Sequence, residues 1–267
     1  GKSLCYQLPA LMTEGVCLVI SPLIALMEDQ VKSLEEKGIK ALLLSSKLNR
    51  HDTIIAFDNL MHGNFKFLYL SPEKLQSEFI QEKISQLTLN LIAIDEAHCI
   101  SHWGHDFRSA YLKIPVLNEI HPEIPKIALT ATATSVVKQD IVANLKLTSP
   151  KVFTGSYFRD NLHIRVLKKE DIRYGMLSLL KSIDEPAIVY VGTRKNTVQY
   201  ARFLTSQKMK ATHYHGGLDS KQKSEALLEW KEEKSKVMVA TNAFGMGIDK
   251  SNVRMIIHAH LPNSIEN

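Results

Sequence analysis

A chain of 267 residues that is 45% hydrophobic and 23% charged has the composition of folded globular domains and is long enough for two of them. This composition argues against a disordered segment, and the apolar runs are too short to predict a membrane span. The formal net charge of +5 permits a polyanionic partner without requiring one. Three scattered cysteines argue against a disulfide framework and favour a reducing compartment, for which we expect a bacterial-type cytoplasm.

Short apolar runs alternate with amphipathic stretches through the first part of the chain. The runs predict buried strands and the stretches predict helices, an order typical of right-handed βαβ units. We therefore expect a parallel sheet that is covered by helices on both faces. The predicted strands are Val16–Ile20, Ala41–Leu44, Phe67–Leu70, Leu89–Ile94 and Ile127–Leu129, and the predicted helices are Leu23–Lys37, Thr53–Met61, Lys74–Ser85 and Val136–Leu145, the last with Ser135 as its cap.

The pattern starts again after a polar segment, Thr154–Ile164, which lacks strong periodicity and predicts a linker. We expect a first domain over residues 1–154 and a second, smaller α/β domain over residues 155–267. The predicted strands of the second domain are Ala187–Val191, Ala211–Tyr214, Val237–Ala240 and Met255–His258, and the predicted helices are Tyr174–Ser182, Lys195–Gln207 and Lys221–Glu233.

The chain opens with Gly1, Lys2 and Ser3, which match the end of the phosphate-binding loop pattern G-x-x-x-x-G-K-[ST]. In such a loop Lys2 would neutralise phosphate charge, the Ser3 hydroxyl would bind Mg²⁺, and the following helix would direct its N–H groups at the anion. The same tripeptide also occurs in ordinary loops, so it needs support from elsewhere. Because the pattern is incomplete and no stop signal follows Asn267, we expect an interior part of a longer protein.

An acidic pair follows the predicted strand Leu89–Ile94. Nucleotide-hydrolysing sites place a metal-holding carboxylate and a water-orienting group at the end of a buried strand. We expect Asp95 to hold Mg²⁺, Glu96 to orient or deprotonate the attacking water, and His98 to sense the γ-phosphate. The alternative is a solvated acidic turn. The sequence D-E-A-H directly after an apolar strand, with G-K-S upstream, favours the catalytic interpretation.

The loop that follows the acidic pair is rich in aromatic residues. Trp103, His105, Phe107 and Arg108 are side chains of the types that stack on bases and hold phosphates. A metal site built from His98 and the nearby cysteine and histidines is the alternative. The spacing does not match the paired ligand pattern of such sites, and stacking fits the aromatic residues better.

Three other segments carry candidate residues with a simpler alternative beside each. The hydroxyls of Thr130 and Thr132 could connect the acidic pair to a ligand-facing surface, or they could belong to an ordinary turn before a helix. The glycines near Thr241 allow a backbone to approach a ligand, and they also suit a simple strand-to-helix turn. Arg194 could contact phosphates or could be a solvated residue at a helix start.

These segments together resemble the RecQ family of ATP-dependent DNA helicases. The resemblance runs nearly from end to end, and the strings SLCYQ, CIS-x-WGHDFR and AFGMGIDK are its most specific parts. Two departures are His102, where the family usually has Gln, and Ser109, where it usually has Pro after the arginine. The resembling segments are Gly1–Leu11, Ser21–Val31, Tyr69–Glu73, Asp95–Arg108, Ala128–Ala133, Tyr190–Arg194, His215–Leu218 and Val239–Arg254.

The resemblance implies two tandem RecA-like parallel-sheet domains, which form the P-loop NTPase core of a superfamily 2 helicase. It implies ATP and Mg²⁺ as cofactors, DNA with single-stranded and duplex parts as partner, and no membrane. ATP hydrolysis would drive 3′-to-5′ movement on single-stranded DNA and unwinding in recombination and repair. The implied catalytic residues are Lys2, Asp95, Glu96 and His98; the nucleotide and Mg²⁺ residues are Gly1, Lys2, Ser3, Asp95, Glu96, Gly247 and Asp249; the nucleic-acid residues are Ser21, Pro22, Ser71, Pro72, Trp103, His105, Phe107, Arg108, Arg194 and Thr241.

Two alternatives stay open. An RNA helicase or a double-strand translocase could use the same two domains, although those relatives lack the string WGHDFR. The chain by itself could also be a catalytically weak nucleic-acid-binding module, since the family's motif with an arginine finger would lie beyond Asn267 and such a residue contributes roughly 10³ to 10⁵ in rate.

Overall fold

The computed structural model describes residues 1–45, 48–104, 106–156, 158–245 and 250–261. The chain divides between Phe153 and Thr154 into two compact units, here called unit 1 and unit 2. Each unit contains a parallel sheet with helices, and the predicted α/β fold class with two parallel-sheet domains is confirmed. Among the described residues, no helix has both the length and the hydrophobicity needed to cross a membrane.

Unit 1 is built on a five-stranded sheet in the order β2-β3-β1-β4-β5, with every neighbouring pair parallel. Its strands are nearly continuous apolar runs because the sheet is covered on both faces. The central strand β1 is buried at all of its positions. The strands are β1 (Val16–Ile20), β2 (Ala41–Leu44), β3 (Phe67–Leu70), β4 (Leu89–Ile94) and β5 (Lys126–Ala128).

The helices of unit 1 pack on both faces of this sheet. Alternate residues of β1 enter two different apolar clusters, Leu18 and Ile20 in one and Cys17 and Val19 in the other. The α-helices are α1 (Leu4–Met12), α2 (Ile24–Glu35), α3 (Arg50–His62), α4 (Pro72–Leu75), α5 (Glu78–Ser85), α6 (Leu117–Ile120) and α7 (Ser135–Asn144), and the 3₁₀ helices are η1 (Ala97–Ile100) and η2 (Ser109–Val116).

Two details of the predicted helices were wrong. The cap of α7 is Thr134 and not Ser135, because the Thr134 side chain accepts a hydrogen bond from the N–H of Val137 at 3.3 Å. The predicted helix Lys74–Ser85 is two helices, α4 and α5, because the backbone of Ser77 is extended between them. Helical periodicity on both sides of that break conceals it in the sequence.

Unit 2 contains a four-stranded parallel sheet in the order β7-β8-β6-β9. Each helix begins after a residue whose side chain accepts a backbone hydrogen bond, namely Asp171, Thr193 and Asp219. Residues 154–171 precede the first helix and contain neither helix nor strand where they are described. The elements are α8 (Ile172–Leu180), β6 (Ala187–Tyr190), α9 (Arg194–Ser206), β7 (Ala211–Tyr214), α10 (Ser220–Lys231), β8 (Val237–Ala240) and β9 (Met255–His258).

Candidate active site

The candidate site of unit 1 lies where its parallel strands end. Strands β1, β3, β4 and β5 run in the same direction, so the residues that follow them share one edge of the sheet. Ligands of open α/β sheets bind at this edge. The residues that follow these strands include Ser21, Ser71, Asp95 and Thr130, all of which drew attention in the sequence.

Lys2 is brought to the acidic pair. Its ammonium group donates a hydrogen bond to Oε1 of Glu96 and lies 3.7 Å from Oδ1 of Asp95. Lys2 is far from the acidic pair in the chain. The two meet because β1, which follows α1, pairs with β4, which precedes Asp95. Three predicted catalytic residues therefore meet in one cluster.

Asp95 is deeply buried, with 7% of its surface exposed. Burial raises the pKa of its carboxyl group, the charge of Lys2 opposes that rise, and the charge of Glu96 adds to it. Its Oδ1 accepts a hydrogen bond from the N–H of Glu96 at 2.9 Å, and its backbone carbonyl accepts one from the Tyr111 hydroxyl at 2.8 Å. The carboxylate is thus held by the positive charge of Lys2 and by the N–H of Glu96, and the Tyr111 hydroxyl holds the backbone that carries it.

Glu96 has a left-handed backbone, with φ of 47° and ψ of 45°. This conformation is uncommon for a residue other than glycine, and it directs the chain sharply away from the strand. The side chain of Glu96 contacts Lys2 through one oxygen and lies 3.3 Å from Nδ1 of His98 through the other. The strained turn therefore places this carboxylate between two basic groups.

His98 is 2% exposed and joins the acidic pair to the segment after β5. Its Nδ1 lies 2.8 Å from the hydroxyl oxygen of Thr130. That hydroxyl is also within 3.2 Å of the backbone N–H and carbonyl oxygen of Thr132. Of the two predicted hydroxyl contacts, the one from Thr130 to the region of Glu96 is present through His98, and Thr132 takes part through its backbone.

The donor set fits Mg²⁺ and a nucleotide phosphate. Mg²⁺ prefers oxygen ligands, and sites for its phosphate complexes use one or two carboxylates together with phosphate oxygens. The carboxylate of Asp95 and the hydroxyl of Ser3 supply oxygens, and Lys2 supplies positive charge. Ser3 immediately precedes α1. Gly1 is exposed, and a Cβ added to it would meet nothing within 4 Å.

The alternative of a metal site made of His98, Cys99 and the nearby histidines can be compared with the structure. Within the described residues, which exclude His105, no group of three or more metal-binding side chains comes together. His102 instead stacks on Phe107, with ring centroids 3.8 Å apart.

The aromatic-rich loop divides into an exposed residue and a set of internal contacts. Trp103 is 77% exposed. Arg108 donates to Oδ2 of Asp106, at 3.2 Å from Nε and 3.1 Å from Nη2, and to the carbonyl oxygen of Pro22 at 3.1 Å. In the structure, Arg108 therefore fixes the loop against the end of β1. His105 lies outside the described residues.

The two Ser-Pro pairs predicted to contact nucleic acid are mostly covered. Ser21 is 2% exposed and Pro22 is buried. Ser71 caps α4 by accepting a hydrogen bond from the N–H of Lys74 at 3.2 Å, and Pro72 is the buried first residue of that helix. These side chains shape the backbone at the sheet edge, and their contact with nucleic acid stays a prediction.

Two candidate residues of unit 2, Arg194 and Thr241, lie at the corresponding edge of its own sheet. Arg194 begins α9, and its guanidinium occupies space that a Cβ at Gly217 would need, since the distance to Nη1 would be 2.9 Å. Thr241 follows β8, where its N–H donates to the carbonyl of Tyr214. Gly247 and Asp249 lie outside the described residues.

The sequence analysis did not identify two residues that support the candidate site of unit 1. Asp106 holds Arg108, and Tyr111 holds the backbone of Asp95 through a hydroxyl that is fully buried. The acidic residue two positions before an arginine is a weak signal for the first. No local pattern identifies the second, because its partner is distant in the chain.

Two family models match the chain. The first is described as DEAD/DEAH box helicase and matches residues 1–140, and the second is described as helicase conserved C-terminal domain and matches residues 167–267. Each covers one of the two units in large part.

Curated relatives match over the whole chain. An ATP-dependent DNA helicase RecQ of Pasteurella multocida (strain Pm70) is 42% identical over 267 residues, which are 100% of this chain and 42% of that protein. A protein of the same name from Bacillus subtilis (strain 168) is 43% identical, with 100% of this chain and 45% of that protein covered. The chain thus spans somewhat less than half the length of these relatives.

Solved structures show the same fold at low identity. The Mycobacterium smegmatis helicase Lhr, bound to ssDNA and AMP-PNP, has a TM-score of 0.67 at 18% identity, covering 97% of this chain and 38% of that one. The S. cerevisiae protein Dbp5 L327V, bound to RNA and ADP BeF3, has a TM-score of 0.69 at 18% identity, covering 99% of this chain and 69% of that one. The predicted superfamily 2 helicase fold is confirmed, and so is the resemblance to RecQ: the chain belongs to the DEAD/DEAH box helicases and is similar to RecQ helicases along its entire length.

Proposed function

We propose that this chain is the motor core of an ATP-dependent DNA helicase of the RecQ type. It would hydrolyse ATP with Mg²⁺ and use the released free energy to move 3′ to 5′ along single-stranded DNA and separate the duplex ahead. The observation that carries the proposal is the cluster of Lys2, Asp95 and Glu96 at the carboxyl edge of a parallel sheet. The names of the relatives, which are ATP-dependent DNA helicases, support the choice of substrate.

The residues of the cluster divide the chemistry among them. Lys2 would bind the phosphates of ATP, and Ser3 and Asp95 would hold Mg²⁺, which neutralises charge on the phosphate oxygens. Phosphate binding competes with Glu96 for the ammonium group of Lys2, because one cation then has two anionic partners. Release of Glu96 from Lys2 would leave its carboxylate able to orient and deprotonate the attacking water.

His98 would transmit a change in the position of the Glu96 carboxylate to the segment after β5. It lies between Glu96 and Thr130, so a change in the position of the carboxylate reaches the segment after β5 through one buried ring. Discrete hydrogen-bonded contacts of this kind can have two arrangements, which is what a switch requires.

The nucleic-acid side of the proposal depends mainly on Trp103. A large aromatic ring that is mostly in solvent is suited to stack on a base, which contributes roughly 1–3 kcal/mol per base. Arg108 would act on DNA by holding this loop in place. The proposed nucleic-acid residues remain Ser21, Pro22, Ser71, Pro72, Trp103, His105, Phe107, Arg108, Arg194 and Thr241.

The remaining parts of the proposal rest on the resemblance. Gly1, Gly247 and Asp249 would contact the nucleotide. An ATP-binding domain over residues 1–154 and a C-terminal helicase domain over residues 155–267 would share the work. Action on chromosomal DNA in recombination and repair would place the protein in the compartment that holds that DNA.

The test compares phosphate release by the complete gene product with single-stranded DNA, duplex DNA, RNA and no nucleic acid. We expect single-stranded DNA to give the largest stimulation. Glu96→Gln should lower turnover about 10²- to 10⁴-fold, the usual contribution of general base catalysis, while ATP binding persists. Glu28→Gln, at an exposed position of α2, is the matched control and should leave turnover unchanged.

Three results would each contradict a part of the proposal. Stronger stimulation by RNA than by DNA would reject the DNA helicase assignment. Undiminished turnover of Glu96→Gln would reject the catalytic cluster. Unwinding of a duplex with a 5′ single-stranded tail but not of one with a 3′ tail would reverse the proposed polarity.

A further inference from the structure

A buried serine hydroxyl links the aromatic-rich loop to a distant helix. Ser101 is 0% exposed and follows η1 directly. Its hydroxyl donates a hydrogen bond of 2.6 Å to Oδ2 of Asp140, in the second turn of α7, and accepts one of 3.1 Å from the N–H of Trp103. One side chain therefore joins the backbone of the exposed tryptophan to a carboxylate on another element.

The turn that carries Trp103 is also fixed to His98. The N–H of Ser101 donates to the carbonyl of His98 at 3.1 Å, and the N–H of Gly104 donates to the carbonyl of Ser101 at 3.0 Å. A Cβ at Gly104 would stand 2.3 Å from the carbonyl oxygen of His98, so only glycine fits this close approach. Trp103 therefore projects into solvent from a turn whose backbone has little freedom to shift.

Helix α7 is connected to the same histidine by a second route. The helix starts at its cap Thr134, immediately after the segment that holds Thr130. Thr130 contacts the ring of His98, and α7 packs against η1, which contains His98. The contacts Ser101–Asp140 and His98–Thr130 therefore tie the same two segments together at two points.

We infer that Asp140 is a positioning residue, which holds the Trp103 turn in register with the contact between His98 and Thr130. Nucleic acid that stacks on Trp103 would then act on the hydrolytic centre through a turn whose position is fixed. This inference rests on the proposed function, since it assigns Asp140 a part in the stimulation of hydrolysis by single-stranded DNA.

The chemistry of the bond supports a specific role. A hydroxyl that donates to a carboxylate makes a shorter and stronger bond than one that donates to a neutral acceptor. Because Ser101 is fully buried, its hydroxyl depends on an acceptor at position 140, and asparagine there would replace the carboxylate by a neutral and weaker acceptor. Asp140 also lies beyond the first turn of α7, so favourable interaction with the helix dipole does not account for it.

The experiment measures ATP hydrolysis by the complete gene product with and without single-stranded DNA. We expect Asp140→Asn and Ser101→Ala each to lower the stimulated rate about tenfold and to leave the unstimulated rate close to that of the wild type. Asp140→Asn should also keep the melting temperature close to that of the wild type, because its amide oxygen remains an acceptor for the Ser101 hydroxyl. The double variant should be no worse than Ser101→Ala alone, because Ser101→Ala already removes the bond to Asp140. Asp140→Glu should restore part of the stimulation. Asp58→Asn, an exposed carboxylate of α3, is the matched control and should behave as wild type.

Each possible failure has a separate meaning. Wild-type stimulation in Asp140→Asn would overturn the inference and leave the proposed function intact. An equal fall of the stimulated and unstimulated rates, with a lower melting temperature, would show a structural role only and would also overturn it. A wild-type protein that single-stranded DNA does not stimulate would overturn the proposed function, and this inference with it.

Discussion

Nδ1 of His98 lies 2.8 Å from the hydroxyl oxygen of Thr130, and both groups are held at the ends of neighbouring parallel strands. The backbone repeats the connection, since the N–H of Ala97 donates to the carbonyl of Leu129 at 2.9 Å. The acidic pair and the segment after β5 therefore form one bonded unit. In the proposed function, a side chain at position 130 would influence hydrolysis without contact with the nucleotide.

Thr130→Val should test this connection, because it removes the hydroxyl and keeps the shape of the side chain. We expect hydrolysis in the presence of DNA to fall about two- to tenfold, the effect of one hydrogen bond worth roughly 0.5–1.5 kcal/mol. Thr130→Ser keeps the hydroxyl and should retain most of the activity. Steady-state phosphate release checks both variants. Equal activity of the valine and serine variants would show that the hydroxyl has no part in catalysis.

Replacement of the two tryptophans by alanine should affect two different properties, DNA binding for Trp103 and stability for Trp230. Trp103→Ala should weaken binding of single-stranded DNA by about 1–3 kcal/mol, which is a roughly 5- to 150-fold change, and leave the melting temperature nearly unaltered because the ring is exposed. Trp230→Ala should lower the free energy of unfolding by about 3–5 kcal/mol, because that ring is fully buried. Fluorescence anisotropy with a labelled oligonucleotide and thermal unfolding measure the two effects. Normal DNA affinity of Trp103→Ala would remove this residue from the nucleic-acid site.

Gly104→Ala should be much more harmful than its size suggests. The added methyl group would approach the carbonyl oxygen of His98 to a distance at which one of them must move. We expect a loss of about 1–3 kcal/mol in the free energy of unfolding, typical of overpacking, and a loss of stimulation by DNA. Gly155→Ala is the control, since nothing lies within 4 Å of the added atom there. Denaturant unfolding of the two variants should separate them clearly, and equal stability would contradict the tight approach.

His213 should make unit 2 sensitive to acid. Burial lowers its pKa from the ordinary value of 6.5, and the charges of His215 and Arg202 lower it further. The unfolded chain therefore binds a proton at this position more readily than the native protein. Stability should be complete at pH values above 6.5 and fall as the pH drops through the range between the two pKa values. Melting temperatures between pH 7.5 and pH 5 should decline less for His213→Gln, and an unchanged decline would contradict this assignment.

The strands were largely predictable from the sequence because a covered parallel sheet requires continuous apolar runs. The bounds of β1 and β4 agree with the prediction at both ends. Helix ends were less predictable, since Thr134 and Ser135 are both good caps and only the backbone geometry decides between them.

The candidate site was predictable in its residue types but not in all of its contacts. Lys2, Asp95 and Glu96 belong to local patterns, and the fold brings them together. The roles of Arg108 and Asp140 depend on partners far away in the chain, Pro22 and Ser101, which no spacing rule connects. Such contacts are set by packing between elements, and a single sequence contains no direct signal for them.

The ion pair between Lys2 and Glu96 joins positions that are 94 residues apart. A loop of this size costs chain entropy to close, and parallel sheets with many crossovers have high contact order and fold slowly. The proposed hydrolytic centre therefore cannot exist in a partly assembled unit 1 that lacks β4. Ligands that bind only the finished arrangement stabilise it, by about 2.7 kcal/mol at a concentration 100 times their dissociation constant. Newly synthesised protein would acquire nucleotide affinity late, and cellular ATP would then protect the completed domain from reopening.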